Sequence, residues 1–410
     1  MYCSDVAGAF DRVKVERLIQ KLRAMGINPR LVNFVASWLQ ARRARVLVGG
    51  KESEEMKLQD MVFQGTVLGP LLWLVFFADA SRAIVEAAFN DIIFADDLNA
   101  YRVYDKKTRN STMTRHAKNS QGNLHAWGAA NQVTFDSRKE SMSITSRHAP
   151  GGPNFKLLGI HFDTELTMEE TVTKLHNAAM WKVTSILRAR KYYDTEELVD
   201  MYKTKILSYL EYRTAAIYHA KCTLLEQIDK VQRRFLREVQ VSEEDALIEY
   251  KLAPLCARRD IAMLGLIHRT VLGNGPKHFQ RFFKRAQTTP HPQARTRVHS
   301  KQLETRRTGK YLEVLKYSAL GLIDVYNSLP QKVVDYDDVT DFQSALQGIL
   351  KTEAAASNAG RQSVFSPRHE VWDNRLATIR RNYEGPVVAT DTAAQACSAK
   401  RVFAWLQFCT

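Results

Sequence analysis

The sequence predicts an α/β chain of the α+β kind: a small sheet with carboxylates at its strand ends, backed by helices, followed by an all-helical region. Three observations carry this. The apolar run Asp91-Ile92-Ile93-Phe94 leads into Ala95-Asp96-Asp97, which puts two adjacent carboxylates at the tip of a hydrophobic strand. Through the first 165 residues, short strand-like stretches alternate with apolar residues at helical spacing. Beyond that point the apolar pattern is helical. Two carboxylates at the end of a buried strand are costly to keep ionised unless a cation meets them. Hard divalent cations such as Mg²⁺ take carboxylate oxygens. Alone, the pair also reads as an ordinary loop start.

The elements follow in order. Tyr2-Cys3-Ser4-Asp5 is a second short stretch that carries an Asp off a strand end, with Phe10 and Asp11 close behind. Val15, Leu18, Ile19 and Leu22 follow the i, i+3, i+4, i+7 rule, so residues 12–25 read as an amphipathic helix stopped by Gly26. Leu31, Phe34, Val35, Trp38 and Leu39 mark another such helix. Arg45 to Gly50 suggests a hairpin returning through Met56 to Phe63. After Gln64-Gly65, Pro70 suits the first turn of a helix. The strand after Asp96-Asp97 returns through Leu98 to Val103. Lys106 to Asn119 reads as loop or helix start and 120–130 as helix, while Ser141 to Thr145 alternates as a half-buried strand.

In the helical part, Leu175, Ala178, Ala179 and Trp181 to Val183 suggest one helix, and Leu198, Met201, Tyr202, Ile206, Leu207 and Leu210 a second. Ile228, Val231, Phe235 and Leu236 suggest a third, with Arg233, Arg234 and Arg237 on its polar side. Between Pro276 and Lys310 stand ten Lys or Arg, among them Arg295, Arg297, Arg306 and Arg307, against one acid, Glu304. That stretch reads equally as a phosphate-binding arm or a solvated linker. Ala354 to Gly360 has linker composition. The expected organisation is therefore 1–165, a helical 166–275, the basic 276–310, a helical 311–350 and a linker with tail over 351–410.

Composition bounds the function. A chain of 410 residues with 45% hydrophobic content can bury two or three cores. A net charge of +15 favours a polyanionic partner, most simply nucleic acid. Five scattered cysteines without a Cys-x-x-Cys point to reduced thiols in an intracellular protein, nuclear or cytoplasmic, and show no zinc knuckle. The opening Met1 to Asp5 is no secretory signal, and the most apolar run, Leu68 to Ala80, is too short for a membrane span. No internal repeat is visible, and oligomeric state is not readable.

As an ordered set, these motifs resemble the palm of a reverse transcriptase, closest to those of non-LTR retrotransposons. The strand-borne Asp5 with Phe10 five residues on, Gln64-Gly65 leading to Pro70, and the Phe94 to Asp97 hairpin match the family's first three motifs. Trp127, Asn131, Phe135 and Lys139 match the helix and turn that follow, and Phe155 to Ile160, with Leu158-Gly159, matches the primer-grip hairpin. Tyr326 to Pro330 and Phe342 to Leu346 are a softer echo.

The resemblance implies a polymerase palm with catalytic Asp residues on a small sheet, followed by an α-helical thumb-like region. It implies an RNA template, a DNA primer, deoxynucleoside triphosphates and no membrane. Two Mg²⁺ ions about 4 Å apart, replaceable by Mn²⁺, would activate the primer hydroxyl and stabilise the leaving pyrophosphate. Asp5 and Asp96 would be the shared metal ligands. Asp97, on the other side of its strand by alternation, would have a weaker role while assisting metal binding. Phe10 would press on the sugar of the incoming nucleotide, and Gln64 and Gly65 would lie along template base and nucleotide. Lys139 would protonate the pyrophosphate.

Family members carry a long fingers region before the first catalytic strand, and this chain opens with that strand. The chain is thus expected to be truncated, and weak or inactive as a polymerase alone. Two alternatives stay open: a catalytically dead nucleic-acid-binding remnant, and a helical interaction protein with chance motifs.

Overall fold

The structure, a computed structural model, describes residues 1–286 except Ala41 and Gln59, residues 299–305, 315–356 and 361–368, and Leu376, Thr378 and Ile379. The chain divides into two units, Met1–Thr167 and Met168–Thr410. Among the described residues, no helix is long and apolar enough to cross a membrane.

Unit one mixes helices with small antiparallel sheets. It opens with β1 (Tyr2–Asp5), α1 (Val15–Ala24) and α2 (Pro29–Gln40). Two nested pairings follow, β2 (Arg43–Ala44) with β5 (Met56–Lys57) and, inside it, β3 (Leu47–Val48) with β4 (Lys51–Glu52). Next come α3 (Gly69–Phe77), α4 (Ala80–Glu86), β6 (Asn90–Phe94) and β7 (Asp97–Tyr101). Then α5 (Asn110–Asn131), β8 (Ser141–Met142) and the hairpin of β9 (Phe155–Leu157) and β10 (Ile160–Phe162) complete it.

The main sheet runs β6-β7-β1-β8, antiparallel throughout. Strand alternation sends Tyr2, Leu98 and Ala100 inward, where they meet Leu18, Trp73, Phe76, Ile84 and Leu124 from the helices. α1 buries the four residues that its periodicity marks and stops at Gly26, which takes φ 74. Gly26 N–H bonds Arg23 O at 3.0 Å and Ile27 N–H bonds Leu22 O at 3.2 Å, closing the last turn of the helix.

α5 starts at Asn110, within the stretch expected as loop or helix start. Its first turns have no apolar stripe, so packing rather than periodicity sets that boundary. The strand expected over 141–145 is cut to two residues, and Ile144 then bridges to Gly151 instead.

Unit two is helical. It contains α6 (Glu169–Arg188), α7 (Thr195–Tyr202), α8 (Ser208–Glu211), α9 (Thr214–Ile217), α10 (Cys222–Glu238), α11 (Glu243–Ile248) and α12 (Leu255–Val271). After these come α13 (Leu322–Asn327), α14 (Gln331–Val334) and α15 (Val339–Ala355). A capping box between Asp194 and Glu197 starts α7.

One core joins α12 to α13 and α15, and Val364 and Phe365, from the stretch expected as tail, are buried in it. The flanks of the basic stretch are built in as well. Ala286 N–H bonds Gln302 O at 2.9 Å, Glu304 N–H bonds Lys284 O at 2.9 Å, and Leu303 and His299 are buried.

Candidate active site

The site forms where β1 and β7 end together. Their register pairs Asp5 with Asp97, so these two carboxylates face one another on one side of the sheet. Asp96 was expected to meet Asp5. It lies in the turn between β6 and β7, because Phe94 pairs directly with Asp97 and leaves only Ala95 and Asp96 to close the hairpin, and its charge reaches both Asp97 and Lys139. The expectation that alternation turns Asp97 away from Asp5 is thus corrected by the register. Ala95 takes φ 55, a left-handed conformation uncommon for alanine. Its carbonyl accepts a hydrogen bond from Trp73 Nε1 at 2.9 Å, and the Trp73 indole is buried and stacked on Phe77 at 5.0 Å. The tip that carries the aspartates is therefore anchored by the core beneath it.

Lys139 arrives from another direction. α5 is locked by Trp127, whose Nε1 donates to Asp79 Oδ1 at 2.9 Å and whose ring meets Phe77 edge-on at 5.4 Å. Lys21 Nζ closes that lock from α1, 2.7 Å from the same oxygen and 5.0 Å from the Trp127 ring. Gln132 ends α5 at φ 60, Val6 bridges to Phe135, and Asp136 N–H bonds Asp5 O at 3.0 Å. Lys139 N–H then bonds Asp136 O at 2.9 Å, and Lys139 Nζ reaches Asp5 Oδ2 at 2.5 Å. The Trp-Asn-Phe-Lys series thus runs from a helix lock to an ion pair on the site's first carboxylate.

The electrostatics are those of gathered like charge. The Asp97 carboxyl is pushed up to about 6, chiefly by burial, then by its hydrogen bond to Asp5 and the charges of Asp5 and Asp96, against the pull of Lys139. Hydrogen bonding to Asp5 holds Lys139 above the usual lysine range. Below about pH 6 Asp97 holds a proton that it shares with Asp5; above it, two carboxylates face one another with Lys139 on Asp5.

Other expected residues are placed as follows. Phe10 is half-buried and tilted against Trp73 at 6.1 Å, an edge of the core. Gln64 and Gly65 are exposed, with Gly65 at φ 84. Their turn is held by Thr66 Oγ1, which donates to Phe63 O at 2.7 Å and accepts from Gly69 N–H at 3.2 Å. A side chain at Gly69 would come within 2.7 Å of Phe63 O, so α3 starts on a glycine. Leu158 and Gly159 form the two-residue turn of the β9–β10 hairpin, at φ 45 and 80, which is the type I′ pattern.

In α10, Arg233 pairs with Glu226 at 3.4 Å, Arg234 is half-buried and Arg237 is exposed. Arg295, Arg297, Arg306 and Arg307 lie outside the described residues. Sequence reasoning missed Trp73 and Glu140. The second is nearly buried and accepts from Tyr2 Oη and Gln121 Nε2, with His125 Nε2 at 2.8 Å. Its position next to Lys139 is the only trace of this in the sequence.

Among the described residues, no three His, Cys, Asp or Glu side chains converge as a ready metal cluster. The donor chemistry nonetheless fits a divalent cation. Two facing carboxylates offer hard oxygen ligands, and a cation between them would relieve the repulsion that raises Asp97.

The sequence is similar to known proteins. Residues 1–162 match the family described as reverse transcriptase (RNA-dependent DNA polymerase). The RNA-directed DNA polymerase from mobile element jockey of Drosophila funebris is 25% identical over 253 residues, covering 57% of this chain and 28% of that protein. Its Drosophila melanogaster counterpart is 28% identical over 254 residues, again 57% of this chain and 28% of the relative. The retrovirus-related Pol polyprotein from type-1 retrotransposable element R2 of Popillia japonica is 23% identical over 261 residues, 57% of this chain and 41% of that protein. The aligned region thus spans well under half the length of these curated relatives.

Proposed function

We propose that residues 1–162, a reverse transcriptase domain of the non-LTR retroelement kind, carry out Mg²⁺-dependent, RNA-templated addition of deoxynucleotides to a primer 3′-hydroxyl. In this reading unit one is the palm and the first helices of unit two are thumb-like. The observation that carries it is the pairing of Asp5 with Asp97 across β1 and β7, with Asp96 beside them in the turn and Lys139 on Asp5.

Asp5 and Asp97 would hold the cation, with Asp96 close enough to add to their field. The bound metal supplies charge stabilisation at the reacting phosphate and lowers the pKa of the attacking hydroxyl. Lys139 balances the charge of Asp5 in the absence of substrate and carries a proton that it can give to the departing pyrophosphate. Trp73 fixes the turn by its bond to Ala95, and Phe10 packs against Trp73 at the side of the site. The exposed Gln64-Gly65 turn is free of side-chain bulk at Gly65, which suits close approach of a template strand.

Primer extension on an RNA template with Mg²⁺ tests this, with the Asp97→Asn variant as control. Extension by the parent and none by the variant is the expected result; equal extension by both would overturn it. A second reading, nucleic-acid binding without polymerisation, is favoured by the net charge of +15, which suits a polyanionic partner whether or not the site turns over. Retained binding without extension by the parent would select it.

A further inference from the structure

Unit two exposes large aromatic rings where a helical core would be expected to hide them. Trp181 falls within the apolar pattern of α6, yet it is 71% exposed; Tyr192, just past the end of α6, is 73% exposed. Trp181, Ser185 and Arg188 are spaced i, i+4 and i+7, so they share one face of the helix and all three are exposed. Arg188 has no ion-pair partner among the described residues, and Lys191 sits 4.9 Å from the Tyr192 ring. Of Asp194, Glu196 and Glu197, which follow Tyr193, Asp194 and Glu197 are engaged in the capping box of α7, and Glu238 is paired with Arg190.

The side of this face is basic too: Lys182 Nζ lies 5.1 Å and Arg213 Cζ 4.3 Å from the Tyr209 ring. From Trp181 to Arg188 the helix rises about 10 Å, roughly three nucleotide steps along a strand. Exposed rings alternating with cations suit one class of partner, a polyanion with flat faces.

We propose that the outer face of α6 binds single-stranded nucleic acid, stacking unpaired bases on Trp181 and Tyr192 while Arg188 and Lys191 contact phosphates. The inference rests on the reading that this chain handles nucleic acid, and it moves the contact away from the Arg233 face of α10, where a carboxylate already engages one guanidinium. Stacking needs a base face that a duplex hides, so the surface selects unpaired strands.

Fluorescence polarisation with the full chain tests it, using a short labelled U-rich strand and a labelled RNA–DNA duplex. Trp181→Ala and Tyr192→Ala are each expected to weaken strand binding about 5- to 100-fold, the size of one lost stacking platform, and to leave duplex binding unchanged. Trp181→Phe, which keeps a ring, retains most of the affinity and so separates lost stacking from lost fold. Arg188→Gln flattens the salt dependence. Unchanged strand affinity in both alanine variants, equal loss on strand and duplex, or no binding of either probe by the parent would overturn the proposal. Strand binding that depends on Trp181, without primer extension, would sink the polymerase reading and leave this one standing.

Discussion

The two units handle carboxylates in opposite ways. In unit one, Asp5, Asp96 and Asp97 are gathered at a sheet end, two of them face to face, with one lysine brought from a distant turn. In unit two, Asp229 is met by Arg259 through two bonds of 2.7 and 2.9 Å, and Asp260 accepts from Tyr218 Oη at 2.7 Å. The second arrangement gives each carboxylate its own hydrogen-bonding partner and sets no two carboxylates face to face. The first accumulates repulsion that raises the Asp97 carboxyl, the kind of arrangement in which the proposed function would seat a cation.

The contrast can be broken by experiment. Asp97→Asn should lower primer extension by on the order of 10³-fold or more, as loss of a group acting directly on developing charge does. Its melting temperature should equal or exceed the parent's, since one repelling carboxylate is gone; a fall of several degrees would make Asp97 a structural residue. Asp229→Ala should do the reverse. It strands the nearly buried Arg259 and should cost about 3–5 kcal/mol in urea unfolding of unit two, with extension chemistry unchanged at low temperature.

A subtler difference is in pH. The wholly buried Asp260 carboxyl is raised from its ordinary 3.8 to about 7, chiefly by burial. Its folded value lies above its unfolded one, so the folded state binds the extra proton. Its contribution is fullest near pH 4 and below, and is lost as pH rises towards 7. The unfolding free energy of the parent relative to Asp260→Asn should therefore fall over that range, at no more than about 1.4 kcal/mol per pH unit, the slope of one proton. A flat difference would mean that Asp260 is ionised throughout. The smallest effect is expected at Gln132, which ends α5 in a left-handed conformation. Gln132→Gly should stabilise unit one by a few tenths to about 1 kcal/mol, and leave unit two unaffected.

Much of this was legible in the sequence wherever one local rule sufficed. Val15, Leu18, Ile19 and Leu22 announced α1 and are buried, and Gly26 stops it. The Leu158-Gly159 hairpin was expected only through the family resemblance, and the chain does turn there, with left-handed dihedrals at both residues. The failures have identifiable causes. Trp181 fits an apolar period yet faces out, because periodicity counts an aromatic ring without knowing what covers it. The first turns of α5 were obscure because polar residues there make a helix that packing on neighbours sustains. Trp73 lay within an apolar run, and nothing local showed that its indole N–H would hold the Ala95 carbonyl.

By itself the sequence determined the residue types of the candidate site, their order, the mixed fold of unit one with helices after it, and the resemblance to non-LTR reverse transcriptases. These are properties of local pattern and motif spacing, which need no partner to be read. Only the tertiary structure decided that Asp97 is paired with Asp5 across the strands, and that the exposed Lys139 reaches back to Asp5. The first depends on strand register, and the second on a hydrogen bond between residues more than a hundred positions apart. A register is fixed by the whole sheet and the core beneath it, and a shift of a single residue turns every side chain to the opposite face.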